Sequence, residues 1–132
     1  MQQHASGTFE IKLTPQTDPD GVGDKTIGRL SFDKQFSGDL VAHSKGQMLA
    51  RRTDTPGSAG YVALERVEGT LHGRTGSFAL QHLGVMTRGV ASLTVSVVPD
   101  SGTDELVGIA GTMTITVVDG RHDWTFSYAI TD

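Results

Sequence analysis

Glu65 and His82 are the two residues whose types and placement could do chemistry. They stand in LERVEGTLHGRTGSFALQHLG (64–84), where two alternating apolar runs flank the turn signal Gly73-Arg74-Thr75-Gly76. A two-residue loop at Arg74-Thr75 pairs Leu71 with Phe78, Gly69 with Leu80 and Val67 with His82. It also puts Glu65 on that face, one diagonal step from His82. A second loop, at Arg88-Gly89, pairs His82 with Val95 and Leu80 with Val97, and again turns His82 toward the apolar side. A carboxyl group on an apolar wall has its charged form disfavoured, so its pKa is expected to rise. A neighbouring imidazole can share its proton, and such pairs serve as general acids and bases. The same residues also fit a buried hydrogen-bonded pair that pins strand register, or an interior ion pair between Glu65 and Lys34.

Aromatic residues with polar tips extend this face. The hairpin signal Val118-Asp119-Gly120-Arg121 pairs Val117 with His122, Ile115 with Trp124, Met113 with Phe126 and Gly111 with Tyr128, with threonines opposite. His122, Trp124, Tyr128 and Tyr61 are thus expected to line one cavity with Lys34 and to suit an apolar small molecule needing one or two orienting hydrogen bonds. For Trp124 and Phe126, ordinary core packing is the stronger reading. His4, His43, His72, His82 and His122 lie on separate segments without paired ligand spacing, so no metal is expected. DPDGVGD (18–24) fails as a calcium loop because Val22 and Arg29 occupy ligand positions. No nucleophile elbow, phosphate loop or dinucleotide fingerprint occurs, and no cofactor is expected. His72, with Glu68, Arg66 and Thr70, is expected on the solvated face.

The elements that must position these residues are strands. Alternation of period two recurs along most of the chain, and no window shows the apolar spacing of a helix. Candidate strands cover 7–13, 28–36, 39–50, 60–72, 76–87, 90–98, 106–118 and 121–131. Eight consecutive strands predict an all-β fold over residues 1–132, either a single antiparallel up-and-down barrel of about eight strands or a sandwich. The inward face of 39–50 is open: a two-residue loop at Ser37-Gly38 selects Asp39, Val41 and His43, whereas a bulge selects Leu40, Ala42 and Met48. The polar connections 14–28 and 51–60 read as rims of the barrel, and PDSGTDE (99–105) as a connection.

Composition narrows the partners. The 132 residues include no cysteine, which excludes disulfides and thiolate chemistry. The net charge of -4, with scattered basic residues, argues against nucleic acid. No apolar run is long enough for a membrane helix and no secretory start is evident, so a cytoplasmic protein without a membrane partner is expected.

FSGDL (36–40), GYVALERVEGTLHGRTGSFALQHLG (60–84) and VVPDSGTDELVGIAGTMTI (97–115), in that order, resemble a family of small bacterial proteins known as a domain of unknown function, with a fold similar to the allene oxide cyclase barrel. The resemblance implies a closed barrel around a central cavity and points to a homodimer. It does not imply allene oxide cyclase activity, since a shared fold does not carry a function.

Three functions follow from this reading. The first is a barrel that binds a small, largely apolar molecule, with Glu65 and His82 meeting its polar end. The second is a cofactor-independent isomerase, cyclase or lyase in which Glu65 and His82 move a proton. The third is a structural or interaction barrel filled by its own side chains. The small inward residues Ala63, Gly69, Gly84, Ala91 and Gly111 favour an open cavity.

Overall fold

The computed structural model describes residues 2–17 and 23–131. Most of DPDGVGD therefore lies outside the described residues. Eight strands follow in chain order: β1 (Gln3–Gln16), β2 (Gly28–Gly38), β3 (Leu40–Arg52), β4 (Ala59–Leu71), β5 (Arg74–Thr87), β6 (Val90–Val97), β7 (Ile109–Val118) and β8 (Arg121–Ile130). Each pairs antiparallel with the next, and β8 pairs with β1, closing the barrel. Alternation explains the wall: Phe32, Lys34 and Phe36 on β2, and Ala63, Glu65 and Val67 on β4, are buried, while their neighbours face outward.

Three hairpin turns share one chemistry. His72-Gly73, Arg88-Gly89 and Asp119-Gly120 each place two residues at positive φ, the left-handed backbone of tight turns whose twist matches the flanking strands. The last two follow the expected registers, including Val117 with His122 and His82 with Val95. The first corrects one. The loop between β4 and β5 is His72-Gly73 rather than Arg74-Thr75, so Leu71 pairs with Arg74, Val67 with Phe78 and Ala63 with His82. The slip is four residues, an even number, so every side chain keeps its face. Between β2 and β3 the bulge prevails: Gly38 takes φ 109° and Leu40, Ala42 and Ser44 turn inward.

The two ends of the barrel differ. At the lower end, which holds the β2–β3 and β4–β5 turns, the connection from β6 to β7 folds across the opening. Its Thr103 and Val98 N–H groups donate to Ser77 and Ala79 carbonyls, a short 3-10 turn spans Asp104–Leu106, and Leu106 is 0 % exposed. Beneath it pack Phe36, Leu40, Leu71, Phe78, Leu80, Met113, Trp124 and Phe126. Among the described residues, none folds across the upper end in this way. There β6 and β7 share only two ladder pairs, Val95 with Met113 and Ser96 with Thr112. Toward the upper end, residues 90–94 pair only with β5, and 114–118 only with β8. The inward positions Leu93 (38 % exposed) and Val117 (60 %) flank the resulting seam.

Candidate functional site

Between the filled lower half and the open upper half lies a cluster of three charged or ionisable side chains. The β3–β4 and β4–β5 ladders set Glu65 opposite Gly46 and Leu80, with His82 one diagonal step away opposite Ala63. The bulge between β2 and β3 sets Lys34 opposite Ser44. All are buried, and Glu65 joins them: its Oε2 accepts from Lys34 Nζ at 2.8 Å and from His82 Nε2 at 2.7 Å. The expected diagonal contact of Glu65 with His82 is therefore present, although it comes from the other diagonal of the hairpin.

Lys34 completes a cage. Its ammonium lies 4.5, 5.2 and 5.7 Å from the ring centres of Phe9, Phe32 and Phe36, where the negative faces of the rings help to hold a dehydrated cation. Gly46 makes room for this arrangement: a Cβ there would stand 2.3 Å from the Phe32 ring. Two buried polar atoms, Glu65 Oε1 and Ser44 Oγ, have no hydrogen-bond partner among the described residues.

The electrostatics overturn one expectation. Burial is the largest single influence on Glu65 and pushes its pKa up. The His82 hydrogen bond, the Lys34 charge and the lesser contacts of both residues together outweigh it and hold the carboxyl below its ordinary value of 4.5. Glu65 is thus an ionised acceptor at neutral pH, and His82 Nε2 must carry the proton between them. His82 Nδ1 is left without a hydrogen-bond partner among the described residues.

Tyr61 stands above His82 on the neighbouring strand. Its half-buried ring fills the space beside Gly84, where a Cβ would approach to 2.1 Å. Burial, then the Glu65 charge, raises the pKa of its phenol, so it stays protonated. Its hydroxyl makes no side-chain hydrogen bond among the described residues. On the opposite wall His122 is stacked on Phe9 at 4.9 Å. The inward residues above them, including Met48, Met86, Leu93 and Ile115, are half-buried or exposed and largely apolar.

Other expected lining residues lie elsewhere. Trp124 is fully buried against Phe36, with its indole N–H donating to the Thr8 carbonyl at 3.0 Å, and belongs to the packed core. Tyr128 stacks on Phe126 at the lower end, with its hydroxyl 2.5 Å from His72 Nδ1. His72 is exposed, as the sequence suggests, but it stands in the turn rather than on a strand and meets the Tyr128 hydroxyl. The histidine-glycine pair was the signal for that turn, because histidine tolerates the left-handed conformation better than most residues. The small inward residues do not all leave space either: Gly84 accommodates Tyr61, Gly111 lies against Tyr128 and Gly69 against Ala42.

A depression of about 1030 Å³ lies over β3, β4 and β5. It touches Glu65 and His82, yet their side chains are 0 % and 4 % exposed, so only their backbone can meet it. Its side-chain lining is the outward row Leu49, Val62 and Leu83 with Gln47, Leu64 and Gln81, aligned by the ladders. This is an outer face and not the barrel interior. No group of three or more metal-ligating side chains occurs among the described residues, and no helix is long and apolar enough to cross a membrane.

The model of a protein family of unknown function, DUF3224, matches residues 5–128. The chain belongs to the DUF3224 family. A crystal structure of a DUF3224 protein of unknown function from Shewanella oneidensis MR-1 is 44 % identical over 100 % of both chains, with a TM-score of 0.90. No curated protein matches the chain. The family and the barrel agree with the sequence reading.

Proposed function

We propose that this DUF3224 barrel binds a small, largely apolar molecule in its open upper half and orients one polar group of that molecule with Tyr61 and His82. The observation that carries this reading is the pair of polar groups without hydrogen-bond partners among the described residues, the Tyr61 hydroxyl and His82 Nδ1, on neighbouring inward positions below the exposed inward residues Leu13, Met86 and Leu93. Glu65 and Lys34 act behind them. The ionised Glu65 bonds His82 Nε2 and fixes the ring, which leaves Nδ1 for a ligand, and Lys34 neutralises the buried carboxylate. Leu13, Leu30, Met48, Met86 and Ile115 supply the wall, and the β6–β7 seam supplies a lateral way in.

The test is native mass spectrometry of protein purified from its own host, with extraction of any bound compound. The expected result is an apolar molecule carrying a hydroxyl or carbonyl, whose affinity falls about five- to tenfold in Tyr61→Phe and in His82→Gln. A clean apo mass, combined with no binding of an apolar fluorescent probe such as anilinonaphthalene sulfonate, overturns the reading.

One feature favours a second reading, a cofactor-independent isomerase, cyclase or lyase. A carboxylate bonded to one imidazole nitrogen while the other is free is the arrangement of a general base. Under that reading His82→Gln abolishes turnover of the extracted compound while leaving its binding nearly unchanged; loss of binding alone supports the first.

A further inference from the structure

At the lower end, on the far side of the packed core from the Glu65 cluster, a second depression of about 540 Å³ is lined by Gln3, His4, His72, Arg74, Tyr128 and Ile130. Five of these six side chains are polar, and the Ile130 wall is the exception. Such a lining differs from the apolar upper mouth.

The groups there are held in position. Tyr128 is buried, and its hydroxyl is locked to His72 Nδ1 at 2.5 Å. The His72 backbone N–H donates to the Asp39 carbonyl at 3.1 Å, and His72 Nε2 lies 3.7 Å from Asp39 Oδ2, which itself accepts the Ser6 N–H at 2.9 Å. His4 Nδ1 meets Ser127 Oγ at 3.1 Å. Arg74, at the start of β5, is close enough for its charge to act on the Tyr128 phenol, yet makes no ion pair or side-chain hydrogen bond among the described residues.

We propose that this depression is a binding site for a small oxyanion, a carboxylate or phosphate group, with Arg74 as its principal charge. A guanidinium presents a planar fork of donors that matches two oxygens of such a group. Gln3 and His4 Nε2 add donors around it, while the His72 ring is held between the Tyr128 hydroxyl and Asp39. An anion fits better than a cation because Arg74 is the one permanently charged side chain among the residues that line the depression. The site is separate from the upper mouth and stands whether or not that mouth binds a ligand.

Titration of the protein with inorganic phosphate, and separately with acetate, at ionic strength held constant with sodium chloride, tests this by NMR. Saturable shifts at Arg74, His72 and Tyr128 are expected, weakened at least about tenfold in Arg74→Gln, the loss of one charge-assisted contact. Arg121→Gln, at the upper end where Arg121 is tied to Asp123, leaves the titration unchanged. Saturation by phosphate but not acetate assigns a phosphoryl group, and the reverse a carboxylate; both support the site. Absence of saturable shifts with either anion, or equal shifts in Arg74→Gln, overturns it.

Discussion

Leu71, Phe78 and Leu106 in the lower half of the barrel leave almost no surface to water, whereas Leu13, Met86, Leu93 and Val117 occupy inward positions near the upper end and are more than a third exposed. The same eight strands with the same alternation build both halves. What differs is the closure. The long β6–β7 connection crosses the lower opening and drops Leu106 into it. At the upper end two two-residue turns and the β3–β4 connection, which meets the β5–β6 turn through the Gly89 N–H and the Gly57 carbonyl, leave inward residues exposed among the described residues, and the wall parts between β6 and β7. A barrel therefore becomes a core or a cup according to what its connections do. The Lys34–Glu65–His82 cluster marks the boundary, where charge can be retained because each group is paired and the surroundings still open upward.

The largest test of this contrast concerns the boundary. Lys34→Met leaves the buried Glu65 carboxylate without its ammonium, and removing one partner of a buried pair costs about 3–5 kcal/mol. Urea unfolding is expected to show that loss, with recovery in Lys34→Met/Glu65→Leu, where no lone charge remains. A single variant as stable as the native chain contradicts the buried ion pair.

The next test compares the halves directly. Leu106→Ala removes a wholly buried side chain from a filled region and is expected to cost about 2–5 kcal/mol. Met86→Ala removes one from the open rim and is expected to cost less than about 1 kcal/mol. Equal losses at the two sites would mean that the upper half is as tightly filled as the lower.

The smallest effect is a pH dependence. The folded-state pKa of Glu65 lies below its ordinary value, so between the two values the unfolded chain binds more protons, and stability rises with pH there. The contribution is present above the unfolded pKa and is lost as pH falls through the folded one. Glu65→Gln is expected to flatten the acid limb of stability measured from about pH 5 downward. A limb of unchanged slope would show that Glu65 is not the carboxylate held down by its partners.

Much of this was legible in the chain. Alternation with Gly-containing turns specifies eight strands and the face of each side chain. Glu65 and His82 read as inward neighbours even with the β4–β5 loop placed wrongly, because a slip from Phe78 to Arg74 opposite Leu71 is an even number of residues and preserves the faces. The loop itself was missed because Gly73 and Gly76 offered a competing turn centred on Arg74-Thr75. The inward face of β3 stayed open because both a plain turn and a bulge at Gly38 were compatible with its pattern.

The sequence by itself determined the antiparallel strands, the in-and-out alternation and the pairing of a carboxylate with an imidazole on one apolar face, all properties of strands adjacent along the chain. Closure into a barrel rests instead on β8 meeting β1 from the far end of the chain. Only the tertiary structure decided that Lys34 joins them, that the carboxyl is held ionised rather than neutral, that Trp124 and Tyr128 belong to the closed half, and that one end is open. The physical reason is that alternation is local, whereas the pKa of a buried group and the volume beside it depend on residues from distant strands that share its low-dielectric space.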